Sequence, residues 1–209
     1  MVRFALFGAG RIGSLHAGNI AASSRALLSV VMDVNTQAAQ AVAAAHGAPG
    51  VKVAHSVDEA LAADIDAVVI ASSTDTHVAL LLHAAQAGKA VLCEKPIDLD
   101  IDRVNHCQAE LQRLKVPVQL GFNRRYDPDH RSAVLATHQG EVGKVELAVI
   151  TSRDPAPPPL DYVKVSGGLF RDMMIHDFDM ARFILREDPV ELSAAASVLV
   201  DPAIGEAND

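Results

Sequence analysis

The chain has 209 residues, half of them apolar, which suffices for one large domain or for one domain plus part of another. Its net charge of −8, with no basic patch interleaved with aromatics, argues against a nucleic-acid partner, and no apolar run is long enough to cross a bilayer. Two cysteines, Cys93 and Cys107, and nine scattered histidines show neither C-x-x-C nor H-E-x-x-H spacing, so we expect a reduced, cytoplasmic protein without a metal site.

The first predicted strand, Val2–Phe7, contains Arg3 and is not a signal peptide. It runs into Gly8-Ala9-Gly10-Arg11-Ile12-Gly13, which opens a predicted helix, Arg11–Ala22. Gly8 permits a tight turn, Gly10 lets the backbone approach a pyrophosphate, and Gly13 lets the helix pack closely on the sheet. The helix N-terminus offers unpaired N–H groups and a positive dipole end. The second predicted strand, Leu27–Asp33, ends in a carboxylate about twenty residues beyond the glycines, where ribose hydroxyls are met. Together these make a dinucleotide site rather than a plain glycine turn. Asp33 would repel a 2′-phosphate and Val34-Asn35 supplies no arginine to receive one, so the expected cofactor is NAD.

Helical pattern at Thr36–His46, Val57–Ala63, Thr76–Ala87 and Leu99–Leu114 alternates with apolar runs at Val51–Val53, Ala67–Ala71, Ala90–Cys93 and Val118–Gly121. Ser56 and Thr76 are predicted N-caps and Gly88 a helix stop. Continuous apolar strands suit a parallel sheet covered on both faces. The expectation for residues 1–120 is therefore a doubly wound parallel Rossmann sheet, the class being α/β. For residues 121–209 the pattern predicts an incomplete α+β substrate domain. It comprises a helix at Asp129–Thr137, strands at Val142–Ser152 and Val190–Val200, a rigid extended loop at Asp154–Pro159, and one long helix, Leu169–Leu185.

Ser72–His77 and Cys93–Pro96 follow predicted strands, at the carboxyl ends where open parallel sheets bind ligands. Lys95 there can hold a substrate hydroxyl and stabilise charge on its oxygen, though an ordinary surface lysine would read the same alone. On the long helix, Asp172, His176 and Asp179 are spaced to share one face. An acid one turn from a histidine can orient the ring and stabilise the imidazolium, as a general base requires; a structural Asp–His pair has the same spacing.

Glu94-Lys95-Pro96 after a Rossmann half, then Gly-Gly-x-x-x-Asp-x-x-x-His from Gly167, resembles the Gfo/Idh/MocA oxidoreductases. The run Gly167–Arg182, with Gly121–Asp127 and Ser152–Pro158, is most similar to their inositol 2-dehydrogenase branch. The resemblance implies catalytic roles for Lys95, Asp172 and His176. It implies cofactor contacts from Gly8, Gly10, Arg11, Ile12, Gly13, Asp33, Ser73, Thr74, His77 and Glu94. It implies substrate contacts from Arg125 and Asp154 beside Lys95, Asp172 and His176, and gives His16 a structural role. The implied activity is NAD-dependent oxidation of a cyclic polyol, myo-inositol first, by a homo-oligomer, a tetramer in the full-length family. The family's substrate domain continues well past Ile204-Gly205-Glu206, so the chain reads as shortened. A non-catalytic NAD-binding relative, or a dehydrogenase of another sugar or polyol, fits the same residues.

Overall fold

Eleven elements alternate along the first unit, Met1–Gly121. They are β1 Val2–Phe7, α1 Arg11–Ala22, β2 Ala26–Met32, α2 Thr36–His46, β3 Lys52–Ala54, α3 Val57–Ala62, β4 Ala67–Ile70, α4 Thr74–Gln86, β5 Ala90–Cys93, α5 Ile101–Leu114 and β6 Val118–Leu120. This is a computed structural model, and it describes residues 1–206. The strands form one parallel sheet in the order β3-β2-β1-β4-β5-β6. The order reverses between β1 and β4, which creates a crevice at their carboxyl ends.

The strands are apolar throughout because both faces of the sheet are covered. Ala5 and Phe7 of β1, Val68 and Ile70 of β4 and Val91 and Cys93 of β5 join one core with α3, α4 and α5. The alternate residues Leu6 and Val69 join the other core with Ala17 and Ile20 of α1 and Val42 of α2. The two-residue period of a strand thus assigns neighbours to opposite layers. Phe7, Leu6, Ile70 and Leu81 are fully buried, each contributing about 1.5–3 kcal/mol of transfer free energy.

Helix starts follow local capping. Ser56 Oγ accepts the Glu59 N–H at 3.1 Å, as expected, and Gly88 has a left-handed φ of +71° just beyond α4. The Thr76 cap is corrected: α4 begins at Thr74 with Ser73 at the N-cap. Thr76 sits inside the first turn, its Oγ1 donating to the Ser73 carbonyl at 2.7 Å. Likewise α5 starts at Ile101 rather than Leu99, because Asp100 caps it by accepting from the N–H groups of Asp102 and Arg103.

The second unit, Phe122–Asp209, contains a 3₁₀ turn at Asn123–Tyr126, then α6 Pro128–His138, α7 Leu160–Ser166, α8 Gly168–Asp172, α9 Ile175–Leu185 and α10 Pro202–Glu206. Three expectations are overturned there. No strand occurs among its described residues: 142–152 and 190–200 are unpaired, with Leu147, Val149 and Leu192 exposed. A β-propensity run needs a neighbouring strand edge to bond its backbone, and among the described residues these two segments pair with none. The long helix is two: Met173 and Met174 both donate to the Leu169 carbonyl, at 3.2 and 2.9 Å, so the bonding register slips between α8 and α9. Two further helices, α7 and α10, are too short for a periodic pattern to reveal.

Candidate active site

The glycine turn divides its labour. Gly8 has φ +98°, and a Cβ on it would meet the Ala71 carbonyl and Ser72 nitrogen at 2.5–2.6 Å. A Cβ on Gly13 would strike the Gly8 carbonyl oxygen, so α1 lies against the turn as only glycine allows. Nothing lies within 4 Å of where a Cβ on Gly10 would stand. That face is open, and it adjoins the first turn of α1, where Ile12 and Gly13 carry N–H groups without intrahelical acceptors. Arg11 and Ile12 begin the helix; Arg11 is exposed.

Asp33 follows β2 and turns back onto this loop. One carboxylate oxygen accepts the Ala9 N–H at 2.6 Å and the other the Asn35 N–H at 2.7 Å. The open cradle, the free helix-end donors and a fixed carboxylate beside them fit a dinucleotide: N–H groups for the pyrophosphate and Asp33 for ribose hydroxyls.

The loops after β4 and β5 border the same end of the sheet. Ser72 Oγ and Thr76 Oγ1 are 2.7 Å apart, and Ser73 is exposed ahead of Thr74. Glu94 accepts His16 Nε2 at 2.7 Å, linking the β5 loop to α1. A Cβ on Gly121 would come within 2.6–2.9 Å of that carboxylate, so glycine leaves it room. Burial pushes the Glu94 carboxyl up, but the His16 hydrogen bond and charge, with the Lys95 N–H and ammonium, hold it below the usual carboxylate range. Lys95 follows, half-buried, at a cis Lys95–Pro96 peptide. Cys93 is fully buried beneath, its thiol pushed up to about 12, chiefly by burial.

The His77 ring, expected in the cofactor pocket, is instead buried, with both nitrogens against main-chain carbonyls.

In the second unit His176 lies in the first turn of α9, its ring edge-on to Phe122 with centroids 6.2 Å apart. Asp172 ends α8. The expected single face of Asp172, His176 and Asp179 is therefore not one continuous helix surface. Asp179 is buried and serves Arg125, accepting Nε at 2.8 Å and Nη2 at 2.6 Å. The Arg125 guanidinium also lies 4.6 Å from the Phe183 ring centre. Arg125, expected at a substrate, holds α9 to the 3₁₀ turn through its pair with Asp179. The Asp179 hydrogen bond raises its pKa further.

A second tie of this kind escaped the pattern reading: Asp177 pairs with Arg124 and accepts Ser152 Oγ at 2.6 Å. The adjacent Arg124-Arg125 and the Asp177-x-Asp179 pair were its only signal. Asp154 is exposed in the proline-rich loop, two residues beyond Ser152.

Residues 2–122 match the model of the Gfo/Idh/MocA oxidoreductases, described as an oxidoreductase family with an NAD-binding Rossmann fold. Residues 130–209 match the Gfo/Idh/MocA C-terminal domain. The chain is 51% identical over 208 residues to the inositol 2-dehydrogenase of Rhizobium meliloti, and 43% identical over 210 residues to the myo-inositol 2-dehydrogenase of Thermotoga maritima. It is matched over its whole length in both cases and spans 62% of each relative. Among solved structures it is similar to a myo-inositol dehydrogenase from Corynebacterium glutamicum, with TM-score 0.93 and 47% identity over all of this chain and 62% of that one. A scyllo-inositol dehydrogenase from Lactobacillus casei with bound NAD(H) and scyllo-inositol gives TM-score 0.79 and 36% identity over 88% of this chain and 56% of that one.

Proposed function

Because the chain belongs to the Gfo/Idh/MocA oxidoreductase family, we propose that it carries the working residues of an NAD-dependent dehydrogenase that oxidises a cyclic polyol, myo-inositol at its 2-hydroxyl to the 2-keto product. The observation that carries this reading is the presence of Lys95, Asp172 and His176 in a chain 51% identical to an inositol 2-dehydrogenase across its length. NAD, when bound, supplies the acceptor for the carbinol hydride. The N–H groups of the glycine turn and α1 hold its pyrophosphate, and Asp33 takes the ribose hydroxyls. Ser73, Thr74 and Glu94 border the rest of the cofactor.

His176 removes the hydroxyl proton as general base, and Asp172 stabilises the imidazolium that forms. The Lys95 ammonium holds the reacting oxygen and offsets the negative charge that develops on it. Arg125 and Asp154 are the further candidates for substrate hydroxyls. The enzyme works as a homo-oligomer in the cytoplasm; the exposed apolar Leu147, Val149, Leu192 and Leu199 and the two free thiols support this.

The test is NADH formation by protein expressed from the whole gene, with myo-inositol, scyllo-inositol and a simple aldose as substrates and the mass in solution measured in parallel. Activity highest on myo-inositol is the expected result. A protein that binds NAD yet reduces none of it with any polyol is a non-catalytic relative, and the dehydrogenase reading is then lost.

A further inference from the structure

His77 belongs to neither group of reacting residues, yet its surroundings are unusual for a buried histidine. It lies in the first turn of α4, 2% exposed. Nδ1 is 2.8 Å from the Pro96 carbonyl oxygen and Nε2 is 3.1 Å from the Ser72 carbonyl oxygen. These two carbonyls stand just past the ends of β5 and β4, in the loops that carry Lys95 and Ser73. A carbonyl oxygen only accepts, so each bond requires a proton on the ring nitrogen that faces it. A neutral ring makes one of the two bonds at a time; a ring with both protons makes both. Either way the imidazole is wedged between two backbone acceptors from separate loops, away from water, where an unmade bond is costly.

We propose that His77 is a positioning residue. It ties the Ser72 carbonyl to the Pro96 carbonyl, and so fixes the backbone on which Lys95 is mounted against the 71–73 loop that leads into α4. The catalytic consequence rests on the dehydrogenase reading above; the tie itself does not. Displacement of a reacting group by about 1 Å can lower a rate by about 100-fold, so a brace one residue from Lys95 is well placed to govern turnover.

The test uses protein from the whole gene with His77→Leu, which keeps volume and removes both donors, and His77→Gln, which keeps one amide donor. Hydrogen exchange read by mass spectrometry should quicken by about tenfold or more in peptides covering 70–78 and 92–99, and stay unchanged in those of β2 and α2. The kcat should fall by about 10–100-fold while the NAD Kd stays within about threefold, with His77→Gln between wild type and His77→Leu. Should His77→Leu fail to fold, the same split of kcat from Kd in His77→Gln decides. A raised NAD Kd with kcat restored at saturation would overturn the proposal in favour of a direct cofactor contact. Exchange quickened across the whole sheet, with kcat per folded molecule unchanged, would reduce His77 to a core residue. If wild type shows no polyol activity, the dehydrogenase reading fails alone: quickened exchange confined to the two loops still supports the tie, and unchanged exchange there overturns it.

Discussion

The Asp33 carboxylate accepts the Ala9 N–H at 2.6 Å, so the acid at the end of β2 is locked to the middle of the glycine turn. Its negative charge is therefore held in place beside the cradle before any nucleotide arrives. NAD should bind more tightly than NADP, and Asp33→Ala should narrow that preference by about tenfold or more, since like charges brought together cost several kcal/mol. Titration of both nucleotides against both proteins checks this; tighter binding of NADP to wild type would contradict it.

Gly10 and Gly13 separate binding from folding. Gly10 has φ −73°, which alanine adopts without strain, and open space beside it. Gly10→Ala should leave unfolding free energy within about 0.5 kcal/mol and weaken NAD by about tenfold or more. Gly13→Ala drives a methyl into the Gly8 carbonyl and should cost about 1–3 kcal/mol in stability. Denaturant melts with and without NAD compare the two, and equal losses of stability would refute the division of roles.

His176→Ala should lower kcat by about 10²–10⁴-fold with little change in NAD binding, and Asp172→Asn should also slow turnover. Stopped-flow hydride transfer gives the rate of the step directly. A His176→Ala protein that transfers hydride at the wild-type rate would remove this residue from the base role. Melting temperatures recorded alongside distinguish a loss of chemistry from a loss of fold.

Arg125→Leu strands the buried Asp179 carboxylate. The expected cost is about 2–3 kcal/mol, below that of a fully buried pair because Arg125 is itself 36% exposed. Arg125→Leu combined with Asp179→Leu should recover much of it. A substrate role would instead raise the KM for the polyol while leaving the melt unmoved.

The buried Cys93 thiol is pushed up to about 12, chiefly by burial and further by the Glu94 charge. Its unfolded value is about 8.5, so the folded state keeps a proton that the unfolded state releases. The stabilisation is complete below about pH 8 and is lost progressively as pH rises from there towards 12. Unfolding free energy measured at about pH 7 and about pH 10 should fall between the two, and Cys93→Ala should flatten the fall. Thiol reagents should leave the native chain untouched, since Cys93 and Cys107 are both buried, and modify both once it is unfolded.

The first 121 residues were legible from the sequence because each signal there is local or periodic. Continuous apolar runs specify strands covered on both faces, intervening amphipathic stretches specify helices, and Gly8, Gly10, Gly13 and Asp33 are spaced by a turn and one crossover. The parallel sheet followed, since crossovers of this length permit little else. The same rules failed in the second unit. The alternating residues of 142–152 and 190–200 have strand character, but pairing is a property of two segments, and only the folded chain shows whether a partner edge is present. Asp172, His176 and Asp179 share a helical spacing, yet the bond of Met174 to Leu169 breaks the helix between the first two, and Arg125 claims the third. Arg125 and Asp179 are partners 54 residues apart, and His77 meets carbonyls in two separate loops. Composition and spacing determined which chemistry the chain holds; tertiary packing decided which polar groups are left for it and which are spent holding the backbone in place.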